Sequence, residues 1–180
     1  MRLIIKVVIC AVLIWLLSNQ MASAQPFHQL SIDEFQGTPQ LHSVIIAYTN
    51  CSIDMHYHVT AEKGYYRLVF DIRLIFNRDK SWVDRSRVRS REMLDEVLKH
   101  EQGHYTIAYM EQQEVLREMG KTRFGSDYQS KVNEIFDRID VKYKQLNIDY
   151  DEDTQHMNDR KQQHSWDVYF HKRLEYMPPA

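Results

Sequence analysis

The 180-residue chain contains only two cysteines, five glycines and four prolines. One cysteine, Cys10, lies in an apolar N-terminal stretch that we expect to be removed, which leaves Cys51 alone. A single thiol forms no internal disulfide, so stability must come from a hydrophobic core and from any bound metal. Cys51 could serve as a zinc ligand or nucleophile, but in a strand-like segment a free cysteine is more typical of a small buried apolar residue.

Long apolar runs are also scarce, and the one at the N-terminus has the pattern of a secretory signal peptide. Arg2 and Lys6 precede the apolar residues 7–17, and Ala22-Ser23-Ala24 offers a small-residue cleavage site. The run is shorter than the roughly 20 residues that a membrane-spanning helix requires, which favours cleavage over anchoring. We therefore predict a signal peptide over residues 1–24 and export to the periplasm or beyond the cell.

The remaining residues, 25–180, suit a single domain with its own core. The signal contains two of the 23 basic residues and no acid, so the mature net charge is 21 − 25 = −4. This mildly acidic balance, without a basic stripe, argues against nucleic acid as a partner. One arginine cluster precedes the first predicted helix, and at alternate positions it is typical of a solvated surface: Arg85, Arg87, Arg89 and Arg91.

Hydrophobic periodicity predicts strands followed by helices. A strand is predicted over 44–48, and alternating apolar residues predict two longer strands over 53–59 and 66–76, joined by a turn at 62–64. Spacings of three and four then predict three helices, from about 90 to 119, from 126 to 146, and from 153 or 154 onwards. We therefore predict an α+β fold, with an antiparallel sheet over about 42–76 packed against three helices.

The first predicted helix carries the pattern HExxH at residues 100–104. His100 and His104 are four residues apart, so both imidazoles lie on one helical face and can bind one metal ion. Glu101 points about 100° round the helix, where it can act as a general base on a water molecule beside the metal. This is the pattern of a zinc metallopeptidase, and Gly103 between the histidines would let another group approach the helix closely.

A catalytic zinc site needs a third protein ligand, and the sequence offers several. His156 is favoured because it shares the predicted inner face of the third helix, and His164 is the alternative on that helix. The acids of residues 149–153 are further candidates. Under the first choice, the metal lies between the first and third helices.

Four segments of the chain also resemble a bacterial family of predicted secreted zinc-dependent proteases, catalogued as domain-of-unknown-function family 922. They are residues 30–39, Ser81-Trp82-Val83, residues 98–105, and Tyr150 to His156 with Gln163 and Trp166 behind it. The resemblance implies that His100 and His104 bind zinc, that Glu101 is catalytic, and that His156 is the third ligand. It implies no particular substrate.

The favoured hypothesis is an exported zinc-dependent hydrolase that cleaves a peptide or protein, with Tyr150 and Tyr105 as candidate donors to the developing oxyanion. The alternative is an exported module that binds metal or a protein partner without catalysis. Glu101 separates the two, because a purely structural site needs the histidines but no acid at that position. The sequence does not predict cleavage specificity or oligomeric state.

Overall fold

The computed structural model describes residues 25–40 and 42–176, so the predicted signal peptide lies outside the described residues. None of the helices in these two ranges is both long and apolar enough to cross a bilayer. The elements in chain order are a 3-10 helix (Ile32–Glu34), β1 (Ala47–Tyr48), β2 (Cys51–Glu62), β3 (Tyr65–Phe76), β4 (Trp82–Val83), α1 (Arg91–Lys121), α2 (Tyr128–Thr154) and α3 (Arg160–Tyr176). The predicted α+β class is confirmed.

The predicted hairpin is present as β2 and β3, which pair antiparallel from Cys51 opposite Phe76 to Glu62 opposite Tyr65. Gly64 occupies the turn with φ +86°, a conformation that glycine adopts without a steric penalty. Alternate side chains of the hairpin are partly or fully buried, as the period of two requires, and they pack against the helices.

The strand predicted over 44–48 does not join this hairpin. It is the short β1, which pairs with β4 through Ala47 opposite Val83 and Tyr48 opposite Trp82. The prediction of one continuous sheet is therefore wrong, because periodicity identifies a strand but not its partner. The Asn50 amide donates to Ser81 Oγ (2.9 Å), a side-chain contact at the boundary between the two sheets.

Helix α1 begins where the sequence predicts. The Ser90 side chain accepts a hydrogen bond from the Met93 amide (3.1 Å), which caps one of the free amides of the first turn. The helix continues through Gly120 to Lys121 rather than ending at the glycine. Its inner face enters both hydrophobic clusters of the core, through Val97 in one and Met110 in the other.

The second helix is longer than predicted, because it continues to Thr154 instead of ending near residue 146. Tyr143, Tyr150 and Thr154 are buried at spacings of seven and four, so the inner face of α2 continues through this polar stretch. The chain leaves the helix at Gln155, with φ +49°, and α3 starts only at Arg160. His156 therefore lies in the connecting turn, with φ +48°, instead of at the start of the third helix.

The N-terminal segment contacts α1 through the side chain of Gln102. The side chain of Gln102, inside the HExxH pattern, accepts from the Leu30 amide (2.7 Å) and donates to the His28 carbonyl (3.1 Å). Gly37 donates its amide to the Ser81 carbonyl (2.8 Å), and a Cβ at position 37 would lie 2.9 Å from that oxygen. The N-terminal segment therefore contacts both α1, which carries the histidines, and the residue that precedes β4.

Candidate metal centre

His100 and His104 lie one turn apart on α1, as predicted. Their rings meet edge to face, with centroids 4.8 Å apart, and the two Nε2 atoms are separated by 3.2 Å. His100 is buried at 4% exposure. Two imidazole nitrogens this close together can bind one metal ion and would supply two of its ligands.

The third group comes from α2. Asp151 Oδ1 lies 3.2 Å from Nε2 of His100 and 3.2 Å from Nε2 of His104. The three atoms thus form a nearly equilateral triangle. Ligands on a tetrahedral zinc ion at about 2.0–2.1 Å lie about 3.3–3.4 Å apart, so this triangle matches one face of such a tetrahedron. The group His100, His104 and Asp151 could hold a metal ion.

His156 lies beside this triangle rather than within it. Its Nδ1 is 3.1 Å from Asp151 Oδ1, and its side chain is 53% exposed. The group that could hold a metal ion therefore lies between α1 and α2, not between the first and third helices as expected. His156 as a ligand stays a prediction, and His164 is exposed on α3, away from the residues that line the cavity described below.

Sequence reasoning included Asp151 only as one acid among residues 149–153. The signal that would have selected it is the helical period: Asp151 is four residues from Asn147 and one from the buried Tyr150. Once α2 is extended to Thr154, this period places Asp151 beside the face that packs on α1. Because residues 147–153 are mostly polar, the apolar pattern did not predict that the helix continues through them.

Glu101 is buried at 3% exposure, and its Oε2 has no hydrogen-bond partner within residues 25–40 and 42–176. Its carbonyl oxygen accepts from Thr49 Oγ1 (3.3 Å), which links this turn of α1 to the segment after β1. A buried carboxylate oxygen without a partner is costly and calls for a functional explanation.

A cavity of about 870 Å³ opens in front of these groups. Glu101, both histidines, Asp151 and His156 all line it, together with residues 44–53 and the facing side chains of α1 and α2. Its volume falls within the range of about 300–1,000 Å³ that is usual for ligand sites. Cys51 also lines the cavity, where burial and then the charge of Glu101 raise the pKa of its thiol to about 12.

The charges of the site are strongly coupled. Burial alone would lower the pKa of His104, but the hydrogen bond to Asp151 and the nearby carboxylates of Glu101 and Asp151 raise it to about 9. Burial raises the pKa of Asp151, but hydrogen bonds from His100 and His104 hold it well below the usual range. The carboxylate of Asp151 is therefore ionised at neutral pH, as a metal ligand must be.

The two tyrosines predicted as oxyanion donors are engaged elsewhere. Tyr150 stacks on His100 with ring centroids 4.8 Å apart, and its hydroxyl donates to the His100 carbonyl (3.1 Å). Tyr105 is buried against Phe27 and Phe76 on another side of α1. Neither residue is among those lining the cavity, so the geometry gives no support to either as an oxyanion donor, and that role stays a prediction.

A family model described as "Bacterial protein of unknown function (DUF922)" matches residues 22–157. The chain belongs to this family. The match covers more than half of the chain and includes both histidines, Glu101 and Asp151, but the family description assigns no activity. No curated protein and no solved structure matches the chain.

Proposed function

We propose that this member of the DUF922 family is an exported zinc-dependent hydrolase, a metallopeptidase acting on a peptide or protein. His100, His104 and Asp151 hold the metal, and Glu101 is the general base. The proposal rests on one combined observation. Three ligand atoms spaced 3.2 Å apart share a cavity with a buried carboxylate oxygen that has no partner among residues 25–40 and 42–176.

The donor set fits zinc. Two neutral imidazoles and one carboxylate are a common ligand set for catalytic zinc, with a further position left for water or substrate. A bound zinc ion supplies Lewis acidity, which polarises a carbonyl group and lowers the pKa of a water molecule from about 16 towards about 7.

Glu101 supplies the proton transfer. Its Oε2, which has no hydrogen-bond partner among the described residues, accepts a proton from a water molecule in the cavity as the water oxygen bonds to the carbonyl carbon of the peptide. Glu101 then returns that proton to the amine nitrogen as the C–N bond breaks. Glu101 follows His100 directly on α1, and its charge acts on His104, so its carboxylate lies near the proposed metal ligands.

The cavity is compatible with a peptide substrate. Its volume of about 870 Å³ is large enough for a few residues of a peptide, and its walls combine apolar side chains such as Ile107 and Phe136 with polar ones. Export through the N-terminal signal peptide would place this activity in the periplasm or outside the cell.

The second candidate is an exported protein that binds a metal or a partner without catalysis. It is favoured because His100, His104 and Asp151 could hold an ion without Glu101. A purely structural site is usually closed by four protein ligands, whereas this group leaves the cavity side open. The buried Glu101 therefore favours the hydrolase.

The first test is the metal content of purified mature protein, residues 25–180, by elemental mass spectrometry. We expect one zinc per chain, lost in His100→Ala and Asp151→Ala and retained in His164→Ala, which removes an exposed histidine of α3. A folded protein that binds no metal, even after zinc is supplied, would refute both candidates as metal proteins. Iron or manganese instead of zinc would refute the zinc assignment.

Hydrolysis is tested on the same preparation with a mixture of denatured proteins, followed by mass spectrometry of the products. Zinc-dependent appearance of new peptide termini would support the metallopeptidase. Full metal loading without any hydrolysis of peptides would favour the non-catalytic alternative.

A further inference from the structure

Gln163 on α3 contacts the outer nitrogen of a proposed metal ligand. Its Oε1 lies 3.2 Å from Nδ1 of His100, and Gln163 is buried at 7% exposure. Asn147 on α2 has the same relation to the other histidine, with its Oδ1 2.8 Å from Nδ1 of His104. In each imidazole, Nδ1 therefore faces a side-chain amide oxygen, and Nε2 belongs to the triangle of proposed ligand atoms.

The neighbours of Gln163 fix the direction of its amide. Its Nε2 donates to Asp167 Oδ1 (3.0 Å), and a carboxylate only accepts. The amide oxygen is thereby turned towards His100, so the Nδ1 atom of His100 must carry the hydrogen. Lys99 on α1 pairs with the other oxygen of Asp167 at 2.5 Å and holds this carboxylate in place.

A second hydrogen bond anchors Gln163 to the histidine-bearing turn. Its Nε2 also donates to the Tyr150 hydroxyl (2.8 Å), and that hydroxyl donates to the carbonyl of His100 (3.1 Å). Gln163 thus contacts both the ring and, through Tyr150, the backbone of the same residue. The ring orientation and its tautomer are set together.

A neutral histidine that donates its Nδ1 hydrogen has its lone pair on Nε2, and Nε2 is the atom of both rings that meets Asp151. We propose that Gln163 and Asn147 are positioning residues that hold His100 and His104 with Nε2 directed at the metal. The proposal rests on the metal centre described above. It also gives α3 a role, although that helix lies beyond the residues 22–157 matched by the family model.

The test is the zinc affinity of the full mature chain, measured by competition with a chromophoric chelator. Substitution Gln163→Met removes the acceptor, and we expect zinc affinity to fall by about 10- to 100-fold while the stoichiometry stays at one. Gln163→Glu restores the acceptor oxygen and, combined with Asp167→Asn so that its second oxygen does not meet a carboxylate, should recover most of the affinity. Gln162→Met changes the exposed neighbour of Gln163 and should leave affinity unchanged.

Asn147 gives an independent pair of variants at a half-buried position, where a change is less damaging to folding. Asn147→Leu should weaken zinc binding by a similar factor, and Asn147→Asp should restore it. Long-range proton–nitrogen NMR of the zinc-loaded protein supplies a readout that a merely structural role would not move. The Nδ1 hydrogens of both histidines should be slow to exchange, and each should exchange faster in the matching variant.

Three results would overturn the proposal. Wild-type zinc affinity in folded Gln163→Met and Asn147→Leu would show that the amides do not act on the metal and would leave the proposed function intact. Protonated Nε2 and bare Nδ1 in the zinc-loaded protein would reverse the tautomer. A wild-type chain that binds no zinc would remove the proposed function and this inference together.

Discussion

The ring of Tyr150 lies against the backbone of Gly103, in the space that a side chain at position 103 would fill. A Cβ built on Gly103 would come within 2.7 Å of Cε1 of the tyrosine, which real Cβ atoms essentially never do. This contact lets α2 approach α1 between the two histidines. It explains why a glycine, unfavourable in a helix interior, stands in this turn.

We predict that Gly103→Ala lowers stability and zinc affinity together. Alanine is favoured over glycine in a helix by up to about 1 kcal/mol, but the overlap with Tyr150 costs about 1–3 kcal/mol or more in a close-packed interior. The displaced ring would also move Asp151, its neighbour on α2. Urea denaturation should show a net loss of up to about 2 kcal/mol, with weaker zinc binding in a chelator competition.

The matched control is Gly120→Ala near the end of the same helix. A Cβ at that position meets nothing within 4 Å, so only the gain in helix propensity remains. We expect stability to rise by up to about 1 kcal/mol, with unchanged zinc affinity. Equal effects of the two substitutions would show that the contact with Tyr150 does not limit position 103.

Glu101→Gln tests the general base. The amide preserves the size of the side chain but cannot accept a proton from water at neutral pH. We expect one zinc per chain, an unchanged melting temperature or a slightly higher one, and a loss of hydrolysis of at least about 100-fold. Hydrolysis retained at the wild-type rate would remove Glu101 from the mechanism.

Two substitutions test whether Asp151 or His156 is the third metal ligand. Asp151→Asn removes the negative charge of a proposed ligand and should leave less than one zinc per chain after dialysis. His156→Ala removes only an exposed hydrogen-bond partner of Asp151, so we expect full stoichiometry and an affinity reduced by no more than about 10-fold. The reverse outcome would establish His156 as the third ligand, as the family resemblance implies. Elemental mass spectrometry gives both values.

Local sequence signals predicted the parts of the fold that depend on neighbouring residues. The alternation over 66–76 predicted a strand that the structure confirms as Tyr65–Phe76, and the four-residue spacing of His100 and His104 predicted their convergence. In each case, the backbone period alone places the side chains. The predicted helix start near residue 90 belongs to the same class, since Ser90 caps an amide only three residues away.

The predictions that were wrong concern features that depend on contacts between distant segments of the chain. Asp151 lies 47 residues after His104, and its selection required the length of α2 and its packing on α1. The stretch 147–153 contains few apolar side chains because most of its residues are exposed or line the cavity, so the helix was predicted to end near residue 146. The early predicted end of that helix also put His156 on the third helix instead of in the connecting turn. The pairing of β1 with β4 is a contact between distant segments, which the local pattern does not predict.

The last prediction concerns stability in acid and is independent of the metal. Glu34 of the 3-10 helix is buried at 8% exposure and accepts hydrogen bonds from Arg78 (2.9 Å), His28 (2.9 Å) and the Ser31 amide (2.9 Å). Burial alone would raise the pKa of Glu34, but these partners lower it from 4.5 to about 2. The folded state therefore favours the ionised carboxylate.

Because the pKa of Glu34 is lower in the folded than in the unfolded state, its contribution is fully present above about pH 4.5 and is lost as the pH falls towards 2. The shift corresponds to at most about 3 kcal/mol. In urea denaturation of the metal-free mature protein, Glu34→Gln should lower stability at pH 7 and weaken its dependence on pH between 4.5 and 2. Asp33→Asn, at a neighbouring side chain that is 90% exposed, should change neither. Parallel stability curves for wild type and Glu34→Gln across that interval would show that Glu34 does not link folding to pH.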